Sequence, residues 1–304
     1  MPELTAPLMP EALYPTLYAP AVMESHKLLG KMQGDDPLVR RFVICTEDTL
    51  SKAQLGEGLA NLQSTLTEYE PAEGHDVFVR LRNIEVAEQV LAMDGVKKLR
   101  GFVVPKADPD TYADWAASIT ECDSSFRIMP ILESRGMNDY SYRKDLLEVL
   151  AAPEHRQKID CLRIGGNDLM NNLGMRRPET MTIYDTVIGK LISDIVIEYR
   201  GTGQFPISAP AFEYFGPQYN DLFRKEMSQH IANQLFGQVV IHPRQLPFLW
   251  EAYKVDAEDL EQARYVTTEG TDAVIGDSGR LVNTSTHKRW AGTILLRSEM
   301  FGVR

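Results

Sequence analysis

Short β-branched or apolar runs punctuate this chain, each followed by a polar turn and then by a longer segment of helical periodicity. The runs are TLYAP (Thr16–Pro20), RFVICT (Arg41–Thr46), VFVRL (Val77–Leu81) and GFVVP (Gly101–Pro105), then RIMPIL (Arg127–Leu132), CLRIGG (Cys161–Gly166), FPISA (Phe205–Ala209) and QVVIH (Gln238–His242). Their starts lie 25, 36, 24, 26, 34, 44 and 33 residues apart. Each interval holds one helix and two loops, which is the spacing of parallel strands joined by crossovers. Between the sixth and seventh runs, Ile183, Val187, Leu191 and Ile195 recur every four residues with Ile188, Ile192 and Val196 beside them. That is the broad apolar stripe of a helix lying on a sheet. Arg143–Ala152 and Phe223–Phe236 carry the same pattern. Eight strands alternating with helices predict an α/β chain folded as a closed (β/α)8 TIM barrel. The open doubly wound alternative requires a glycine-rich turn after the first strand, and APAVMES has none.

The pattern changes after His242. Pro247–Tyr253 and Ala257–Val266 read as helices, TTEGTDAVIGDSGR as a turn-rich stretch, and Thr286–Arg297 as a last helix. The expected division is a barrel over 1–250 that carries the active site and a C-terminal helical extension over 251–304. The extension is expected to be either a lid on its own barrel or an arm onto a neighbour in a homo-oligomer.

Charge narrows the partners. Lys and Arg total 32 against 43 Asp and Glu, a net −11, with no basic cluster interleaved with aromatics. Nucleic acid and anionic membrane surfaces are therefore not expected partners. Cys45, Cys122 and Cys161 have no metal-ligand spacing, and Cys45 and Cys161 sit in apolar runs as small buried hydrophobes would. MPELTAPLMPEALYP lacks a basic start followed by an apolar stretch, and no apolar run is long enough for a membrane helix. A cytoplasmic location is the expectation.

In such a barrel the active site lies at the carboxyl ends of the strands. The polar residues there are Glu47 and Asp48 after the second run, Arg80 and Arg82 in and after the third, and Lys106 after the fourth. Glu133 follows the fifth, Asn167 and Asp168 the sixth, and His242 closes the eighth. Glu133 and Asp168, two carboxylates from neighbouring strands, suit an octahedral Mg²⁺ completed by waters and substrate oxygens; alternatively they cap helices or pair with Arg135 and Arg163. Arg80 interrupts an apolar strand, either to grip a carboxylate in a fork or to pair with Glu47 or Asp48. Lys106 reads as a carboxylate or phosphate clamp or as a partner of Glu133. Gly165 and Gly166 read as a phosphate loop or a tight turn, and His242 as a clamp like Lys106 or as a satisfied buried histidine.

These segments resemble the citrate lyase β-subunit-like proteins of the HpcH/HpaI aldolase superfamily. YPTLYAPA is similar to their opening strand, ICTEDTLSK to their acidic segment, VRLRN to their Val-Arg-Ile-Asn strand, and GFVVPKAD to their Pro-Lys strand. ILESRG and GGNDLMNNLG resemble their two metal segments, and GQVVIHPRQL their Ile-His-Pro segment. The resemblance implies a Mg²⁺-dependent lyase or aldolase that makes or breaks a carbon–carbon bond in a small carboxylate, a 2-oxo-acid or an acyl-CoA. By position it implies Glu133 and Asp168 as metal ligands and Arg80, Lys106 and Gly166 as substrate-binding residues. Arg80 counts again among the catalytic residues, with Glu47 and Asp48 placing it and metal-bound water. Three positions depart from the pattern: Cys45 replaces an Asp, Arg82 an Asn, and Asn283 the tail acid that handles protons in thioester-using members. An amide is no general acid or base. The alternative expectation is therefore a barrel that binds a carboxylate metabolite or serves an assembly without turnover.

Overall fold

The computed structural model describes residues 10–202, 205–268, 274–277 and 279–304. Eight parallel strands form one sheet: β1 (Thr16–Pro20), β2 (Arg41–Cys45), β3 (Asp76–Arg80), β4 (Gly101–Val104), β5 (Arg127–Leu132), β6 (Leu162–Ile164), β7 (Ile207–Ser208) and β8 (Val239–Val240). The order is β7-β6-β5-β4-β3-β2-β1-β8, so each strand pairs with its neighbour in sequence and β8 returns to β1. Closure follows on the other side of β8. The Ala209 amide donates to the Phe236 carbonyl at 2.8 Å and the Val239 amide to the Ala209 carbonyl at 3.3 Å. An α/β barrel results, as the strand spacing predicts.

Helices occupy the intervals, among them Ser25–Gln33, Leu55–Glu68, Tyr112–Cys122, Tyr140–Ala151 and Asn220–Ala232. The helix predicted over 183–196 begins later, at Ile188, because Thr182 and Asp185 form a reciprocal cap that holds Ile183–Asp185 in a tighter turn. The buried face becomes Ile188, Leu191, Ile192 and Ile195, and Val187 is exposed. The helix then widens into a π-helical turn over Val196–Thr202.

Inside the barrel, Val43, Phe78, Val103, Met129, Ile131 and Cys161 pack together, with Tyr18 against them. Gly101 begins β4 because a Cβ there would stand 1.8 Å from the Arg127 carbonyl oxygen of β5. The end of the barrel opposite the functional loops is closed by charge. Arg41 Nη2 donates to Asp160 Oδ2 at 2.6 Å with both side chains fully buried, and Asp76 lies 3.7 Å from Arg41 Nε.

The first compact unit ends at Leu246 and the second runs from Pro247 to Arg304. The second unit has its own core of Val255, Leu260, Ala263, Val266, Val282, Ala291 and Ile294. It is not purely helical, in contrast to the sequence expectation: Val274–Asp277 and Arg280–Asn283 form an antiparallel hairpin. Alternating Leu281 and Val282, one exposed and one in the core, have the period of a strand, which the surrounding glycines obscure in the sequence. Residues 269–273 and 278 of the turn-rich stretch lie outside the described residues. Among the described residues no helix is long and apolar enough to cross a membrane.

Candidate active site

β3 delivers Arg80 to the carboxyl end of the barrel, where four carboxylates and two cations meet. Arg80 Nη2 bonds Glu47, Asp48 Oδ2 at 3.0 Å and Glu133 Oε1 at 3.1 Å. The readings of Arg80 as a structural partner of Glu47 or Asp48 and as a grip for a ligand are thus compatible. Three acids crowd one nitrogen, while the buried Nε has no partner. The burial that would favour a neutral guanidine is outweighed by Glu133 and Glu47, so Arg80 stays charged.

Lys106 comes from the loop after β4 with a left-handed backbone, φ 48°. Such a conformation is costly for a side chain with a Cβ and persists where the surroundings enforce it. Here its amide donates to Glu133 Oε1 at 3.1 Å while its ammonium reaches Glu47 Oε1 at 2.7 Å. Asp168 Oδ1 stands 3.7 Å from the same ammonium and Glu133 Oε1 4.0 Å away. Burial opposes its charge, but Glu47, Glu133 and Asp168 together hold the Lys106 pKa above its ordinary value. Glu47, not Glu133, is its main partner.

Glu133 ends β5 almost fully buried, and that burial pushes its carboxyl up to about 7 against the opposing pull of Arg80. Burial likewise raises Glu47, against Arg80 and Lys106. Neither Glu133 nor Asp168 pairs with Arg135 or Arg163. Gly165 fits at this spot because a Cβ would come within 2.1 Å of Glu133 Oε2. Gly166 packs on Ile183 and Pro210, where a Cβ would stand 2.9 Å and 3.3 Å away. The glycine pair therefore makes room for a carboxylate and for a close-packed turn.

Sequence reasoning passed over two supports of the site. The Thr46 hydroxyl donates to the Arg80 carbonyl at 2.8 Å, and Asn172 Nδ2 donates to the Glu133 carbonyl at 3.1 Å. Both hold backbone rather than side chains; Thr46 lies just beyond the end of β2, and Asn172 caps the helix Gly166–Asn171 with nothing in the sequence to single it out. His242 is partly exposed rather than buried. It stacks on Phe215 at 4.6 Å, and its Nδ1 accepts from the Arg244 amide.

Among the described residues no three acidic, histidine or cysteine side chains form a ready-made metal cage. Mg²⁺ seldom needs one, since one or two carboxylates with waters and substrate oxygens complete its octahedron. Glu133 and Asp168 offer hard oxygen donors around a spot where the Lys106 ammonium already supplies positive charge, so the donor set fits a small hard cation.

A closed parallel barrel with carboxylates paired to an arginine and a lysine at its carboxyl end defines the class, an α/β barrel of the TIM type. The model of the carbon–carbon bond lyase family of the TIM-barrel fold matches residues 8–303, and the chain belongs to that family. It is accordingly a carbon–carbon lyase. Among solved structures, a CitE protein from Mycobacterium tuberculosis in complex with magnesium, acetoacetate and coenzyme A is similar. It shares 20% identity, with 95% of this chain and 99% of that chain covered, at a TM-score of 0.65. A citrate lyase from Burkholderia xenovorans LB400 shares 14% identity, with 96% and 93% covered, at a TM-score of 0.70. A Haloferax volcanii malate synthase in complex with magnesium and glyoxylate shares 15%, with 95% and 88% covered, at 0.62. At these identities the likeness is one of fold. No curated protein sequence matches the chain.

Proposed function

We propose that the barrel cleaves or forms a carbon–carbon bond in a small carboxylate of the 2-oxo-acid or acyl-CoA type, with Mg²⁺ held by Glu133 and Asp168. The observation that carries this reading is the meeting of Glu47, Glu133 and Asp168 with Arg80 and Lys106 at the carboxyl ends of the strands. The magnesium-bound neighbours support the choice of metal. When bound, the metal would supply Lewis-acid stabilisation of negative charge developing on a substrate oxygen.

The chain's own residues do the rest. Arg80, pinned by Glu47 and Asp48, holds its guanidinium charge at the mouth for a carbonyl or carboxylate oxygen. Lys106, closer to Glu47 than to Asp168, stands beside the substrate as a second positive clamp. Gly165 and Asn172 keep the Glu133 side chain and backbone in place. Asn283 takes no part in proton transfer, because its amide oxygen accepts from the Ser285 amide and hydroxyl and from the Thr286 amide.

The test is incubation with a panel of 2-oxo-acids and acyl-CoA thioesters, with Mg²⁺ or with a chelator, followed by mass spectrometry. Mg²⁺-dependent cleavage or condensation of one panel member is expected. Turnover that persists unchanged in the chelator would remove the metal from the reading, and no turnover of any member would remove the substrate class.

A further inference from the structure

Beneath the ion pairs the barrel has a floor, and one hydroxyl in it has no partner. β1 alternates Leu17 and Ala19 with Thr16 and Tyr18, and the second pair faces the barrel interior. Thr16 is closed off completely, its hydroxyl taken by Arg163 Nη2 at 2.8 Å. Arg163, 1% exposed, crosses the interior from β6 and also donates to Ser208 Oγ at 3.2 Å and to Met129 Sδ at 3.0 Å. No carboxylate among the described residues lies within ion-pairing distance of it, so its charge is spread over neutral oxygens, a sulfur and the Tyr18 ring 5.6 Å away.

Tyr18 stands one inward position above Thr16, on the side of Arg80. Its ring packs on the interior core, yet the residue keeps some exposure. The buried cluster of Phe78, Met129 and Cys161 packs against it, the Arg163 guanidinium lies over its ring, and Thr16 below is sealed. That exposure therefore faces the mouth where Glu47, Arg80 and Glu133 converge. A tyrosine hydroxyl set into a core normally finds a partner, and this one has none among the described residues. Both nearby guanidinium groups, Arg163 first and Arg80 second, favour negative charge at that oxygen against the effect of burial. The same positive potential would attract an anionic ligand oxygen placed beside it.

We propose that Tyr18 is a ligand-binding residue of the barrel site, donating its hydroxyl hydrogen to an oxygen of the bound carboxylate substrate on a floor made positive by Arg80 and Arg163. This rests on the reading that the mouth takes a small carboxylate. The hydroxyl would give the site a selectivity for ligands with an oxygen at their deep end, because an apolar analogue would leave the donor unpaired.

The test compares the full-length protein with Tyr18→Phe, which keeps the ring against Arg163 and the core. Pyruvate, oxaloacetate, acetoacetate and acetyl-CoA are titrated calorimetrically in Mg²⁺, and both proteins are melted without ligand. The variant is expected to bind the best of these probes about tenfold more weakly, as for a lost hydrogen bond to a charged group, at an unchanged melting temperature. Binding should also produce a near-ultraviolet tyrosine difference signal in the parent that is diminished in the variant. Affinity within twofold of the parent, or a fall in melting temperature that matches the loss, would overturn the role of Tyr18 and leave the proposed function standing. A parent that binds none of the probes would overturn the proposed function itself.

Discussion

Arg80 shares a single nitrogen among three carboxylates and leaves Nε free. Lysine could keep the charge but not the planar fork. Arg80→Lys is predicted to fold and to lose turnover or ligand affinity by about 2–4 kcal/mol, the cost of breaking a buried charged hydrogen bond. Steady-state kinetics beside a thermal melt checks this; near-parental activity would reduce Arg80 to a structural ion pair. Gly165 gives a second prediction at this scale. Its φ of −87° suits any residue, so the obstacle to alanine is the Glu133 side chain, with Oε2 at 2.1 Å and Cβ at 2.4 Å from the added methyl. Gly165→Ala should displace Glu133 and weaken Mg²⁺ binding at least tenfold, measured by calorimetry, and parental affinity would show that Glu133 does not need that space. Arg80, Lys106, Glu133 and Asp168 were legible because charged residues at the ends of apolar runs stand out. Gly165 was legible as a glycine but not for its reason, which depends on the side chain across from it.

At the scale of elements, the short strands β6 to β8 are held less by ladders than by the segments behind them. Arg177 Nη1 donates to Glu226 Oε1 at 2.9 Å and Nη2 to the Ala211 carbonyl at 3.2 Å, joining the loops after β6 and β7 to the helix Asn220–Ala232. Glu226 also accepts from the Ile183 amide at 2.7 Å. Burial would raise its pKa, but His230, Arg177 and that amide outweigh burial and hold the carboxyl below the usual range. A depressed carboxylate stabilises the fold above its unfolded pKa, about 4.3, and that contribution is lost as pH falls through the lower folded value. Glu226→Ala is predicted to cost about 3–5 kcal/mol at neutral pH, since it removes the closest carboxylate of the buried Arg177. The gap from the parent should narrow as the pH drops below about 4. Urea denaturation across that range checks both, and a gap independent of pH would contradict the assignment. None of this pairing was visible in the sequence, where Arg177 and Glu226 are two charges 49 residues apart. The extent of β7 and β8 was equally overread: five-residue apolar runs became two-residue strands, and Pro206 has no amide with which to extend β7.

Across the whole molecule, the strand count, order and closure follow from spacing and periodicity, whereas the hairpin over Val274–Asn283 does not. Strand spacing is a property of the chain alone; a hairpin in a glycine-rich stretch depends on the core it packs against. The barrel's stability should depend on the pair opposite the active site. Asp160, buried beside Arg41, is predicted to cost about 3–5 kcal/mol on replacement by Ala while Mg²⁺ affinity stays parental, because the pair lies at the far end of the strands from Glu133. Denaturant melts and calorimetry separate the two effects. The central claim, that Glu133 and Asp168 hold the metal of a carbon–carbon lyase, is tested most directly by Mg²⁺ calorimetry on the parent and on Asp168→Asn. Saturable binding in the parent and none in an equally well-folded variant is the predicted result; equal affinity in the two would contradict it.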